Sequence, residues 1–385
     1  MKKKTVLILN GQYLPGYKGG GPIQSCANMV EILSDFFNFK VICADRDYKE
    51  EKPYDNIIVD EWNIVGKADV FYMSHKMQSI KGFIRLLNET EYDILYLNGF
   101  FSPIFTIKPL LIYKFKAINK TKLNKKIVLA PRGDFTGGCE NKKLKKYSYI
   151  FLSKCIGLYN NVIWHATSEI EKIDIQKKFK EAKILTVPNL SKLCKQRSCF
   201  KEKKSNNLKL IFVSRIFPKK NLKYAIQVLN YKYEGDISFD IIGPMEDEQY
   251  WNDCEKEIKT LPTNIHVKYL GELNHEQLLE KYKEYHAFIF PTLGENFGHV
   301  IDESIKNGCP VILSRSVTPW DDYIDYIQLG GSLGKIDEFR KSVLTLLKTS
   351  QEQYNEFIIK NNEYIERNNS EYIKEQYYKL FLSCL

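Results

Sequence analysis

Two glutamates eight residues apart, Glu295 and Glu303, stand within residues 291–312, with Asn296, Phe297 and Gly298 between them and Gly308, Pro310 and Val311 after them. A carboxylate accepts paired hydrogen bonds from a vicinal diol, so two at this spacing can hold the two hydroxyl-rich ends of one elongated ligand. Gly294 and Gly298 let the backbone pass close to that ligand. The loop then feeds a helix N-terminus whose N–H groups suit an anionic phosphate. A cationic pair, Arg215 and Lys220, follows the apolar run 208–213. Cations at the carboxyl end of a parallel strand point into the crevice where open α/β sheets bind ligands, and there they neutralise charge on a departing diphosphate. Near the N-terminus Gly19, Gly20 and Gly21 precede a helical stretch and leave room for phosphate or sugar against bare backbone.

Other chemistry-bearing residues point elsewhere. The glycine loop is not GxGxxG, so a nicotinamide fingerprint is absent, although Asp45 stands where its acidic partner is expected. Asp45-Arg46-Asp47 is a literal DxD triplet, but no further ligand cluster accompanies it, and an acceptor contact or a solvated turn is expected there instead of a metal. Asp321-Asp322 reads the same way. Arg132, just past a strand-like run, can reach an acceptor or a phosphate. His165 and His299 read as hydrogen-bonded structural histidines rather than as an acid or a base.

The elements that must position these residues follow from hydrophobic periodicity. Strand-like runs at 5–9, 41–44, 94–97, 127–130, 162–167 and 184–188 alternate with helical stretches at 23–36 and 169–179. A charged, low-apolar stretch, 191–207, reads as a linker. Alternation then restarts with strands at 208–214, 239–243, 265–270, 287–291 and 311–314 and helices at 222–229, 277–284 and 300–306, the last stopped by Gly308. A final helix at 371–382 places Ile373, Tyr377, Leu380 and Phe381 on one face. At 385 residues the chain suits two domains. The expected fold class is α/β, two Rossmann-like domains: 1–200 with the linker, 201–365, and a C-terminal helix, 366–385, packing back on the first domain.

Composition narrows the function classes. The nine cysteines show no CxxC or Cys/His ligand spacing, which fits a reduced, cytoplasmic location. The apolar run after Lys2-Lys3-Lys4 is broken by Asn10-Gly11, so it reads as a buried strand rather than a leader, and no stretch approaches a spanning helix. Residues 1–200 hold 33 Lys and Arg against 19 Asp and Glu, whereas residues 201–385 hold 24 against 28. Lysine clusters lie at 116–126, 142–146 and 192–204. Such a basic half suits an anionic membrane surface, each lysine contributing ~1 kcal/mol there. No nucleic-acid motif interleaves the charge with aromatics, so nucleic acid is not an expected partner.

The 291–312 segment resembles the donor-site signature of glycosyltransferase family 4: E-x7-E with Phe297-Gly298 inside it and Gly-x-Pro-Val-Ile after it. Residues 215–220 are similar to the R-x4-K element of that family, and residues 15–22 to its N-terminal glycine loop. The resemblance extends more weakly through Ala130-Pro131-Arg132, Trp164 to Glu171 and Val187-Pro188-Asn189. It implies the GT-B fold, two Rossmann-like domains facing each other across a cleft, and a retaining hexosyl- or N-acetylhexosaminyltransferase that needs no metal cofactor. The donor implied is a nucleotide sugar, UDP-linked, and the acceptor a glycan or a lipid-linked saccharide in bacterial capsule or cell-envelope synthesis on the inner face of the membrane. Arg215 and Lys220 become the pyrophosphate clamp, Glu295 the sugar ligand, and Glu303 the ribose ligand. Asn296, Phe297, Gly298, Gly20 and Gly21 complete the donor contacts. Many relatives carry a histidine after the fourth strand, and here Asn98 takes its place; an amide cannot accept a proton at neutral pH, so Asn98 is expected to position the acceptor only. A GT-B-shaped sugar-nucleotide epimerase and a nonspecific polyanion binder are the competing readings.

Overall fold

The computed structural model describes residues 3–135, 143–191, 200–367 and 370–385. Cys139, Cys194, Cys199, Lys142 and part of the expected linker, 192–199, lie outside the described residues. The chain divides into two compact units, Met1–Lys192 with Ser370–Leu385, and Leu193–Asn369.

In the first unit β1 (Lys4–Leu9), β2 (Phe37–Ala44), β3 (Trp62–Val65), β4 (Ala68–Met73), β5 (Ile94–Asn98), β6 (Lys126–Ala130), β7 (Val162–Ala166) and β8 (Lys183–Thr186) form one sheet. Its order is β3-β4-β2-β1-β5-β6-β7-β8. Every pairing is parallel except that of β3 with β4. Neither strand of that edge hairpin is among the expected runs. β3 is short, and its Ile64 is 87% exposed, so it lacks the buried alternation that marks a strand in sequence. The inner strands are apolar on both faces because both are covered. Leu7, Leu9, Ile42, Leu95 and Leu97 pack on one side, and Val6, Ile8, Val41, Ile94 and Tyr96 on the other. The second of these layers is completed by the helix Ser370–Leu382, whose Tyr377, Leu380 and Phe381 are buried in it.

The second unit holds an all-parallel sheet of β9 (Asn207–Val213), β10 (Asp236–Ile242), β11 (Ile265–Gly271), β12 (Ala287–Phe290), β13 (Val311–Ser314) and β14 (Gly330–Gly331), in the order β11-β10-β9-β12-β13-β14. One core fills both faces. The helices Ile336–Lys348 and Gln351–Arg367 complete it and were not expected from periodicity. Lys201 and Lys203 fasten the start of this unit. Lys201 Nζ donates to the carbonyls of Tyr282 and Tyr285 at 2.7 and 2.8 Å, and Lys203 Nζ to those of Leu347 and Thr349 at 3.3 Å.

Strand order locates the crevices. In each sheet the winding reverses direction once, between β1 and β5 in the first and between β9 and β12 in the second. Loops diverge at such a switch point and leave a ligand-sized gap beyond the carboxyl ends of the strands. The loops leaving β1 and β5 carry the glycine run and Asn98, while those leaving β9 and β12 carry Arg215 to Lys220 and Pro291 to Gly298.

Candidate active site

At the switch point of the second sheet, Lys220 and Glu295 form an ion pair, Nζ to Oε1 2.5 Å, with side chains 14% and 12% exposed. Lys220 ends a one-turn helix, Pro218–Lys220, and the left-handed Asn221 after it (φ +60°) donates through Nδ2 to the Pro291 carbonyl at 2.8 Å. That bond, with Leu293 N to the Lys219 carbonyl at 2.9 Å, zips the loop after β9 to the loop after β12. Thr292, wholly buried, donates its hydroxyl to Glu295 Oε1 at 3.1 Å, and Glu295 N donates to the Val317 carbonyl. The charged ends are thereby placed by backbone on both sides. Among the described residues no protein donor meets Glu295 Oε2.

Phe297 and Gly298 set the start of the next helix. The Phe297 carbonyl accepts from Trp320 Nε1 at 2.5 Å, and its ring lies 5.4 Å from the Trp320 ring. Gly298 takes a left-handed φ of +80° as the N-cap of helix His299–Lys306, and no side chain caps that end. A Cβ at Gly298 would stand 2.7 Å from Ile301 Cδ1, so backbone conformation and space both call for glycine. Asn296, partly exposed, adjoins this turn. On the same helix Glu303 is 15% exposed in its side chain and lies 3.8 Å from His275 Nδ1. Burial, then the charge of Asp302, push its pKa up to about 8 against the opposing pull of Lys306.

Arg215 departs from the expected clamp. Phe217 is extended and the next three residues turn, so the two cations leave the strand end in different directions. Arg215 Nη1 pairs with Glu246 Oε2 at 2.9 Å in the loop after β10, and its guanidinium stacks 5.1 Å from the Phe217 ring. The structure brings Lys220 to Glu295 and leaves Arg215, 46% exposed, on the far side of its own strand end.

In the first unit the glycine loop is held by Asp47, whose Oδ2 accepts from the amides of Tyr17 and Lys18 at 2.8 and 3.0 Å and whose Oδ1 accepts from Tyr48 N. Asp45 is buried and engaged by both Nε and Nη2 of Arg46. The DxD carboxylates thus serve the loop's own architecture. Gly20 caps helix Gly21–Leu33 at φ +66°, and a Cβ there would meet open space.

Asn98 and Arg132, expected on the acceptor side, are hydrogen-bonded to other side chains of the first unit. Asn98 is 3% exposed; its Nδ2 donates to Asn10 Oδ1 and the Pro22 carbonyl at 3.1 and 3.3 Å, and its Oδ1 accepts from Arg132 Nε at 2.6 Å. Arg132, in a left-handed turn (φ +57°), also donates to Tyr96 Oη at 2.9 Å and to Asn189 Oδ1. One guanidinium thus ties these strand ends together. His165 is wholly buried: Nε2 donates to the Val187 carbonyl at 2.8 Å, so Nδ1 accepts from Tyr96 Oη at 2.7 Å.

Residues 195–363 match the family model for glycosyl transferases group 1. That span is similar to the group 1 glycosyltransferases. The matched span contains the Lys220–Glu295 pair, the Gly298 turn and Glu303, and the first unit lies outside it. Anabaena HepE, solved with UDP and glucose, superposes with a TM-score of 0.67 at 16% identity, covering 99% of this chain and 100% of that one. Sucrose-phosphate synthase from Thermosynechococcus elongatus superposes at 0.71 with 12% identity and 99% coverage of both chains. At these identities what is shared is the GT-B fold. An uncharacterised protein of the cps region of Klebsiella pneumoniae is 26% identical over 239 residues, 60% of this chain and 63% of its own length. Thr292, Trp320, His275 and Asp47 are absent from the sequence-based site. Thr292 lies within the recognised segment, but nothing local marks Trp320 or His275 as its neighbours.

Proposed function

We propose that this glycosyltransferase moves a hexosyl or N-acetylhexosaminyl group from a UDP-linked donor to a glycan or lipid-linked acceptor at an anionic membrane surface, in capsular or cell-envelope polysaccharide synthesis. The observation that carries the reading is the Lys220–Glu295 pair at a topological switch point, one loop away from an uncapped helix N-terminus and from Glu303. The relative from a cps region and the UDP-bound structural neighbour support the pathway class and the nucleotide.

In the proposed reaction Lys220 stabilises the departing diphosphate and Glu295 orients the sugar hydroxyls through Oε2. Charge develops on the leaving oxygen as the bond from the anomeric carbon breaks, and a fixed ammonium there lowers the barrier without solvent reorganisation. The acceptor hydroxyl enters from the same face, its oxygen bonds the anomeric carbon, and its proton passes to the departing phosphate oxygen. Configuration is retained and no side-chain base is consumed, which suits a site where Asn98 is locked in a network. Transfer is metal-independent in this proposal, because Asp45 and Asp47 are engaged by Arg46 and by backbone amides.

A donor-hydrolysis screen tests the reading without an acceptor. Slow release of free sugar and UDP from one of a panel of nucleotide sugars, persisting in excess EDTA, is the expected result. Recovery of an isomerised donor would point to an epimerase, and loss of all turnover in chelator would end the metal-independent mechanism.

A further inference from the structure

The helix Lys143–Cys155 of the first unit is apolar on two sides. Its inner side is fixed by contacts: Ile150 and Ser153 are buried, Tyr149 Oη lies 2.5 Å from Tyr159 Oη, and Lys146 Nζ sits 4.7 Å from the Phe101 ring. The other side carries Tyr147, Phe151 and Leu152, exposed by 57%, 67% and 61%, and then Ile156 at 42%. Positions 147 and 151, like 152 and 156, are one turn apart, so the four side chains form two rows that give the outward half of the helix a broad apolar ridge, with Ser148 and Cys155 between the rows. A water-facing helix carries polar residues there. Single exposed apolar side chains are ordinary, whereas a contiguous ridge marks an interaction surface. Lys114 Nζ donates to the Gly157 carbonyl at 3.4 Å, which draws the end of helix Lys108–Lys114, with Phe115 72% exposed beside it, to the end of the ridge.

The charge around the ridge is mainly positive. Lys145 and Lys154 are exposed on the helix itself, Lys178 Nζ lies 4.8 Å from the Tyr147 ring, and Lys114 and Lys116 flank Phe115. From residue 94 to residue 168 the sequence has two acids, Asp134 and Glu140. A second copy of this face would bring lysine against lysine, and a polyanion alone offers nothing to Phe151 or Leu152. A bilayer bearing anionic headgroups satisfies both, taking the aromatic and aliphatic tips at the headgroup–acyl boundary and the lysines at the phosphates.

We infer that the ridge of helix Lys143–Cys155, with Phe115, is a docking surface for an anionic membrane; the inference deepens the membrane-acceptor reading above and rests on it. The full-length protein is sedimented with vesicles of phosphatidylcholine, with and without phosphatidylglycerol, at low and high salt. The expected result is binding to the anionic vesicles alone, weakened by salt, lost by at least tenfold in Phe151→Ser/Leu152→Ser, and reduced roughly fivefold per site in Lys145→Ser and Lys154→Ser. Ile64→Ser, equally exposed on β3, leaves binding unchanged. Donor hydrolysis in lipid-free solution stays at the parent rate in each variant, so failure of docking and failure of the enzymatic reading are separable. Absence of binding by the parent protein, equal binding by the double variant, or a parent dimer that the double variant dissociates would each overturn the inference. Because the parent protein is measured against both vesicle types, the outcome holds even if a variant misfolds.

Discussion

Lys220 and Glu295 sit within 2.5 Å of each other in the second unit, both side chains largely buried. Lys220→Ala should lower kcat for donor hydrolysis by roughly two to three orders of magnitude, the usual effect of removing a group aimed at developing negative charge. Arg215→Ala should cost much less, since that guanidinium is spent on Glu246; equal losses in the two variants would restore Arg215 to the clamp. Glu303 makes a second residue-scale prediction. With its pKa raised to about 8, the carboxyl is mostly neutral at pH 7 and ionised at pH 9, and only the ionised form accepts both hydrogen bonds of a ribose diol. The apparent KM for donor should therefore fall, by up to about tenfold, as pH rises through 8, and Glu303→Gln should flatten the profile. A KM that is flat in the parent enzyme across that range sinks the assignment. Both glutamates were visible in sequence because one loop and one helix carry them. The pairing of Lys220 with Glu295 was not, because residues so far apart in sequence meet only when β9 and β12 become neighbours.

The helix Ser370–Leu382 is an element whose removal has a calculable effect. Phe381 is wholly buried and lies 5.2 Å from Phe37 and 6.0 Å from Tyr96, ring to ring, while Tyr377 lies 5.2 Å from the His165 ring. Phe381→Ala should destabilise the first unit by ~3–5 kcal/mol, the range for deleting a fully buried phenyl. Thermal unfolding should show the first unit melting earlier while the transition of the second stays in place; a shift of both, or of neither, contradicts the contact. The face that buries this helix was readable from the spacing of Tyr377, Leu380 and Phe381, as were the central strands, whose runs are apolar because both sheet faces are covered. Expected boundaries fell short where polar residues alternate with buried apolar ones at the start of a strand, as with Asn38 and Lys40 in β2 and Asp236 and Ser238 in β10, since ladder pairing runs through the polar positions. Arg132 shows the opposite failure. Its position after a strand was legible, but its partners, Asn98, Tyr96 and Asn189, come from β5 and from the segment after β8, and only the sheet order β5-β6-β7-β8 brings them together.

Each unit contains one buried imidazole with a fixed tautomer, and this sets how the whole molecule responds to acid. In the second unit His286 Nδ1 accepts from Lys209 N at 2.9 Å and Nε2 donates to the Glu202 carbonyl at 2.9 Å, so a second proton has no place. Burial, reinforced by nearby lysines, lowers its pKa to about 4. Burial and the Arg132 charge lower that of His165 in the first unit to about 3. Since both folded values lie below the ordinary 6.5, the unfolded chain takes up protons that the folded chain refuses. The stability these sites contribute is complete above about pH 6.5 and drains away as pH falls, toward about 4 in the second unit and about 3 in the first. The unfolding midpoint of the first unit should therefore decline from pH 6.5 to 4, whereas in the second unit the raised pKa of Glu303 opposes that of His286 over the same range and holds the midpoint nearly level. His286→Gln should lower the stability of the second unit and let its midpoint rise as pH falls from 6.5 to about 4.5, leaving the slope of the first. Histidine ring resonances supply the direct check: two of the six imidazoles should keep neutral chemical shifts at pH 5 in the folded protein, and titration of all six near 6.5 would show that these rings are solvated.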